Sequence, residues 1–97
     1  MKYLKDEFTK RGYIYKLKSR GEKALMYAQY DDESLSLVGY EVFKIKISEE
    51  KTVFDKTYET QEKFPSDEHF GKWAWTFLRS DYGERKAIEK FNQLEEV

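Results

Sequence analysis

The sequence predicts an α+β fold: an antiparallel sheet of four to five strands, a short N-terminal helix, and a C-terminal amphipathic helix packed on one face. Three observations carry this. Tyr13, Tyr15 and Leu17 fall on one parity and Ile14, Lys16 and Lys18 on the other, while Phe43, Ile45 and Ile47 alternate with Lys44 and Lys46. Such period-2 patterns mark strands with two distinct faces. Turn-forming clusters separate these runs. Near the C-terminus, Ala87, Ile88, Phe91 and Leu94 form one stripe at helical spacing.

The elements follow in order. Leu4 and Phe8, four apart, predict one or two helical turns before Gly12. Residues 13–18 are a first strand, Ser19-Arg20-Gly21-Glu22 a turn, and Lys23 to Tyr30 a second strand, so the two make a hairpin. Asp31-Asp32-Glu33-Ser34 breaks the chain. Leu37 to Ile47 is a long third strand, with Gly39 suggesting a bulge. Ser48-Glu49-Glu50-Lys51 turns, and an edge strand is expected near 57–63. Pro65 holds Phe64 out of the helical region, Ser66 can cap a single turn through residue 70, and Gly71 ends it. Lys72 to Leu78 is rich in β-formers. Ser80 or Asp81 caps the last helix, with Asp81 and Glu84 at capping-box spacing.

At 97 residues the chain is one domain, 1–97. It has no Cys, which excludes disulfide scaffolds, thiolate metal sites and cysteine nucleophiles. Residues 1–7 lack the apolar core of a signal peptide. The longest apolar run, Ala24 to Ala28, is too short to span a bilayer. A cytoplasmic protein without a membrane span is therefore expected. His69 is the single histidine, and the acidic pairs at 31–33, 49–50 and 67–68 lie in turns. Neither arrangement suits a nucleophile with its base, a metal centre or paired catalytic carboxylates. The expectation is no enzyme, no cofactor and no metal.

Charge is unevenly spread. Residues 1–23 carry eight Lys/Arg and three Asp/Glu, whereas residues 24–69 carry five and eleven. Lys10, Arg11, Lys16, Lys18, Arg20 and Lys23 interleave with Tyr13 and Tyr15, a pattern that suits single-stranded nucleic acid through phosphate contacts and base stacking. If Tyr13, Tyr15 and Leu17 face the core instead, only the lysines remain outside.

Aromatics number 17, against 15 Leu, Ile and Val. Trp73, Trp75 and Phe77 share one parity; Ala74, Thr76 and Leu78 share the other. A helix packed on a small residue such as Ala74 would turn both Trp outward. One helix covers one sheet face. The second face is either closed by a loop such as 48–63 or binds a partner. The first functional expectation is thus an accessory or adaptor protein that binds a protein partner, or itself, through Trp73, Trp75, Phe77, Tyr13 and Tyr15. The alternative is a nucleic-acid-binding module using the basic hairpin 10–23.

The strings Gly39-Tyr40-Glu41-Val42-Phe43-Lys44-Ile45 and Phe64-Pro65-Ser66-Asp67-Glu68-His69-Phe70-Gly71-Lys72-Trp73-Ala74-Trp75-Thr76, with a terminal helix like 87–94, resemble small phage and mobile-element proteins without assigned activity. The resemblance implies a bacterial or phage cytoplasmic context and transfers no functional residue.

Overall fold

The computed structural model describes residues 1–49 and 51–96. Its centre is a five-stranded antiparallel sheet in the order β1-β2-β3-β4-β9. These strands are β1 (Glu7–Lys10), β2 (Tyr13–Arg20), β3 (Ala24–Asp31), β4 (Leu37–Lys44) and β9 (Ala74–Leu78). Between β4 and β9 the chain makes two small ladders: β5 (Ile47–Ser48) with β8 (Gln61–Glu62), and β6 (Lys51–Val53) with β7 (Lys56–Tyr58). Helix α1 (Asp81–Glu96) closes the chain.

The short N-terminal helix is not present. Phe8 lies in β1 opposite Tyr15, and the two rings stack 5.3 Å apart. Arg11 and Gly12, with φ of 53° and 85°, form the two-residue loop from β1 to β2. Such left-handed loops match the twist of a hairpin. The four-residue spacing of Leu4 and Phe8 was a weaker signal than that turn.

The long third strand expected over 37–47 ends at Lys44, and Ile47 belongs to β5, paired with β8 outside the main sheet. The other elements follow the sequence, with shifts that have causes. The bulge in β4 lies beside Gly39: Gln29 pairs with Gly39 but Tyr30 pairs with Leu37. A Cβ on Gly39 would collide with the carbonyl of Phe77 on the neighbouring strand, so the position needs glycine. The edge strand expected near 57–63 is divided between β7 and β8 and lies outside the main sheet. The turn expected over 48–51 includes Glu50, which is outside the described residues; Lys51 belongs to β6. β9 begins at Ala74 because residues 71–73 form a turn. Ser80 caps α1, its Oγ accepting from the Gly83 amide at 3.0 Å. Glu84 is drawn away from a capping box by Tyr40, whose hydroxyl donates to it at 2.7 Å.

Strand β3 is buried from Ala24 to Gln29, so both faces of the sheet need cover. On one face α1 packs Ala87, Phe91 and Leu94 against Ala24, Met26, Ala28, Tyr40 and Val42, with Trp75 and Phe77 at the margin. The small residues that admit the helix are Ala24 and Ala28 on β3, meeting Ala87. Ala74 belongs to the opposite face, so the expectation that α1 would lie on Ala74 and turn both Trp outward is overturned.

The second face carries Tyr15, Leu25, Tyr27, Phe43 and Ala74. It is covered by residues 60–73, a stretch that overlaps the end of the loop 48–63 nominated from the sequence and runs beyond it. Phe64 sits at the middle of this strap. Its ring lies 4.9 Å from Tyr15, 5.4 Å from Phe8 and 5.5 Å from Phe43, edge to face in each case. Lys10 Nζ stands 4.8 Å from the ring on an outer side. Edge-to-face contacts align the positive ring edge with a negative ring face and add to area burial.

The strap is anchored by Glu62, whose side chain is 2 % exposed. Arg20 donates Nη1 to Oε2 at 2.8 Å and Nη2 to Oε1 at 3.0 Å, and the Leu4 amide donates to Oε1 at 2.8 Å. Burial alone would raise this carboxyl, but the Arg20 and Leu4 bonds outweigh it and leave the pKa below 4.5. On the helix side Glu95 does a related job. It accepts the amides of Glu22, Lys23 and Ala24 at 2.7–2.9 Å and so ties the end of α1 to the β2–β3 turn.

Two outcomes follow. F64A should lower unfolding stability by about 3 kcal/mol in a chemical-denaturation experiment, the low end for Phe→Ala because the ring is half-buried. R20A should cost about as much, since it leaves the Glu62 charge buried without its cation. A loss under about 0.5 kcal/mol, the scale of a surface change, would contradict either anchor.

Candidate functional site

The residues nominated from sequence do not gather in one place. Tyr15 is 5 % exposed and Tyr13 is half-buried, both within the strap-side core. Trp73 joins the same side, its ring 6.3 Å from Phe43 and 4.7 Å from the His69 imidazole. Trp75 and Phe77 lie on the helix side, half-buried, with Lys90 Nζ 4.0 Å above the Trp75 ring. Trp73 and Trp75 are separated because Trp73 sits in a turn, before the strand's alternation begins. No shared aromatic face of the five exists.

The basic set is likewise dispersed. Lys10 covers Phe64, and Arg11 approaches Asp67 at 3.6 Å. Lys16 lies 5.1 Å from the Tyr30 ring and 4.0 Å from Glu7. Lys18 is exposed at a bulge between Leu17 and Ser19. Arg20 is committed to Glu62. Lys23 is at the opposite end of β2 from Arg11; seven to eight strand residues span roughly 25 Å.

His69 has a local role. The Ser66 amide donates to its Nδ1 at 3.1 Å, Ser66 Oγ lies 3.1 Å from the same nitrogen, and the His69 amide donates back to the Ser66 carbonyl at 2.9 Å. With Nδ1 already accepting a backbone N–H, the imidazole serves the turn Asp67–His69 and not a nucleophile. Among the described residues no group of three or more His, Cys, Asp or Glu could hold a metal ion. None of their helices is long and apolar enough to cross a membrane.

Two features were missed in the sequence. The first is Glu41, on the strap-side face of β4 and only 5 % exposed. Its Oε2 is buried with no hydrogen-bond partner. Burial, with the nearby Asp67 charge, raises its pKa from an ordinary 4.5 to about 7, against a smaller opposing effect of Lys10. In sequence Glu41 was legible only as a charge at an inward parity between Tyr40 and Val42.

The second is the outer edge of β9. Lys44 donates its amide to the Trp73 carbonyl at 2.9 Å. With the register Val42 to Trp75 and Tyr40 to Phe77, this directs the odd residues of β9 at β4. Ala74, Thr76 and Leu78 direct their backbone groups outward. At Ala74 that space is taken: Phe70 bridges to it, and the Gly71 amide donates to the Ala74 carbonyl at 2.7 Å. Beyond it, among the described residues, Thr76 has no backbone partner on that side, whereas the Leu78 peptide is packed against Gly83 of α1, where an added Cβ would collide with its carbonyl oxygen.

Leu78 is 74 % exposed. Beside the edge runs an open groove of about 590 Å³, lined by Phe77 and the α1 flank of Lys86, Glu89, Lys90, Gln93 and Glu96. An unprotected edge next to apolar side chains is a template for another strand. The edge carries no Pro and no charged side chain from Ala74 to Leu78.

Compared with known proteins, the chain matches no family model, no curated protein and no solved structure.

Glu41 gives a pH signature. The folded state holds its proton more tightly than the unfolded chain does, so stability should fall as pH rises from about 4.5 to about 7 and then level off. The full effect is on the order of 3 kcal/mol. E41Q should match the native protein near pH 5 and exceed it near pH 8 in paired denaturation curves. A difference independent of pH would contradict this account.

Proposed function

We propose that this is a non-catalytic accessory protein, an adaptor of cytoplasmic and phage-like or bacterial setting, that binds a protein partner along the β9 side of its sheet. The observation carrying this reading is the unpaired outward backbone of Thr76, set between the exposed Leu78 side chain and the Phe77 groove. An extended segment added here would gain ladder hydrogen bonds for affinity and the groove for side-chain selectivity. Trp75 and Phe77 remain contact residues in this reading. Tyr13, Tyr15 and Trp73 are assigned to the core instead.

The nucleic-acid alternative draws less support, since Arg20 is committed to Glu62 and Lys10 to Phe64. A phosphate-tracking surface needs cations along one groove.

The reading is tested by selecting a display library of short random peptides on the protein. Enriched peptides should shift the Thr76 and Leu78 amide resonances of isotope-labelled protein. T76P should weaken them about tenfold, the loss of one ladder bond with its desolvated partner. Proline is tolerated where a strand N–H faces outward, so the variant should fold. If selection enriches nothing, while single-stranded DNA binds at low salt with strong salt dependence, the basic hairpin becomes the better reading.

A further inference from the structure

We propose that the cleft at the end of the sheet where β3 begins and β4 ends binds a small organic anion with an apolar body, an aryl or short acyl group bearing a carboxylate, sulfonate or phosphate. None of its lining residues belongs to β9, so this site is independent of the edge-binding reading.

The cleft holds about 360 Å³ and is lined by Glu22, Lys23, Lys44, Ile45, Lys46 and Leu94. That volume lies in the range of small-ligand sites. Its place in the fold accounts for its lining, because here the two covers of the sheet end. Ile45 belongs to the strap-side packing and Leu94 to the helix-side packing. Leu94 is buried and Ile45 half-buried, and together they make an apolar floor. Lys44 pairs with Ala24 across β3 and β4 and so shares the α1 face with Val42. Lysine stems are apolar, so they extend the wall while their ammonium groups reach over a ligand.

The charges at the rim favour an anion. Three ammonium groups face one lining carboxylate, that of Glu22. Among the described residues, neither Lys44 nor Lys46 takes part in an ion pair. Glu95, next to Leu94, already has its carboxylate engaged by the amides of Glu22, Lys23 and Ala24. Its charge is met by backbone donors, which leaves the rim lysines to a ligand.

The lip of the cleft is also fixed in advance. The Lys44 amide donates to the Trp73 carbonyl at 2.9 Å, the Ile45 amide to the Lys23 carbonyl at 2.8 Å, and the Lys63 amide to the Lys46 carbonyl at 2.8 Å. Three consecutive residues are thus held by three separate segments. A wall set before binding loses little freedom when a ligand enters. Both halves of the site are required. Lysines alone hold simple anions weakly in water and salt, and an apolar floor alone does not select for charge.

Naphthalenesulfonate is the probe, and the methyl resonances of Ile45 and Leu94 in the full chain at neutral pH and low salt are the readout. The expected result is a saturable shift of both methyls. Naphthalenesulfonamide, the same body without the charge, and inorganic sulfate, the charge without the body, should each bind about tenfold more weakly or worse. K44E/K46E should weaken naphthalenesulfonate binding about tenfold or more. K56E/K72E, with the same change in net charge at exposed positions elsewhere, should stay within about twofold, because distant surface charges are screened.

Absence of a saturable shift at Ile45 and Leu94 overturns the inference. Equal binding of the sulfonamide overturns it by leaving only an apolar patch, and equal binding of sulfate by leaving only surface lysines. Equal weakening in the two double variants overturns it as well. The three probes are compared on the native chain, so they decide the question even where a variant fails to fold.

Discussion

The seat of Phe64 is the contact on which the rest of this structure depends. The two central strands are apolar on both faces, so a single helix cannot bury them. A sheet with one face left bare would expose Tyr15, Tyr27 and Phe43 to water, a cost of a few kcal/mol for each large ring. Phe64 enters the gap between these rings and brings the backbone of residues 60–73 with it. Pro65 is buried behind it. The outcome is a three-layer molecule of helix, sheet and strap, in which the irregular layer matters as much as the helix.

Both covers are held by the same device, a carboxylate that accepts groups the sheet cannot satisfy. Glu62 receives the Arg20 guanidinium and the Leu4 amide, joining the strap to the end of β2 and to the N-terminal segment. Glu95 receives three consecutive amides of the β2–β3 turn, joining the end of α1 to the same region. Apolar packing is non-directional, so it permits sliding. These charge-assisted bonds choose the position at which each layer stops. The acidic middle of the sequence and its basic start meet in part through them: Arg20 with Glu62, and Arg11 with Asp67.

Glu41 and the β9 edge show where local consistency gives way. Glu41 occupies an inward parity without a hydrogen bond for one oxygen, and β9 ends the sheet without a protecting charge. Departures of this kind concentrate where a protein does something beyond folding. The two lie close: Glu41 is the cross-strand neighbour of Thr76. The outer strand of the sheet and its least satisfied buried group are therefore adjacent.

Much of the fold was legible. The alternation of Tyr13, Tyr15 and Leu17 and of Phe43 and Ile45, the bulge beside Gly39, the cap at Ser80 and the stripe Ala87-Phe91-Leu94 each reflect a local rule of sterics or periodicity, and local rules act through near neighbours in the chain. What escaped was long-range. Trp73 and Trp75 look alike in sequence, yet a turn at 71–73 sends them to opposite layers. Arg20 and Lys10 look like free cations, yet Glu62 and Phe64, more than forty positions away, engage them. The 17 aromatics against 15 branched aliphatics posed a question of coverage that the sequence by itself did determine: one helix is too little for two apolar faces. Only the tertiary structure decided that residues 60–73 close the second face and that Thr76 on the outer side of β9 is left without a strand partner, because closing a long loop and leaving an edge unpaired are settled by the packing of the whole chain.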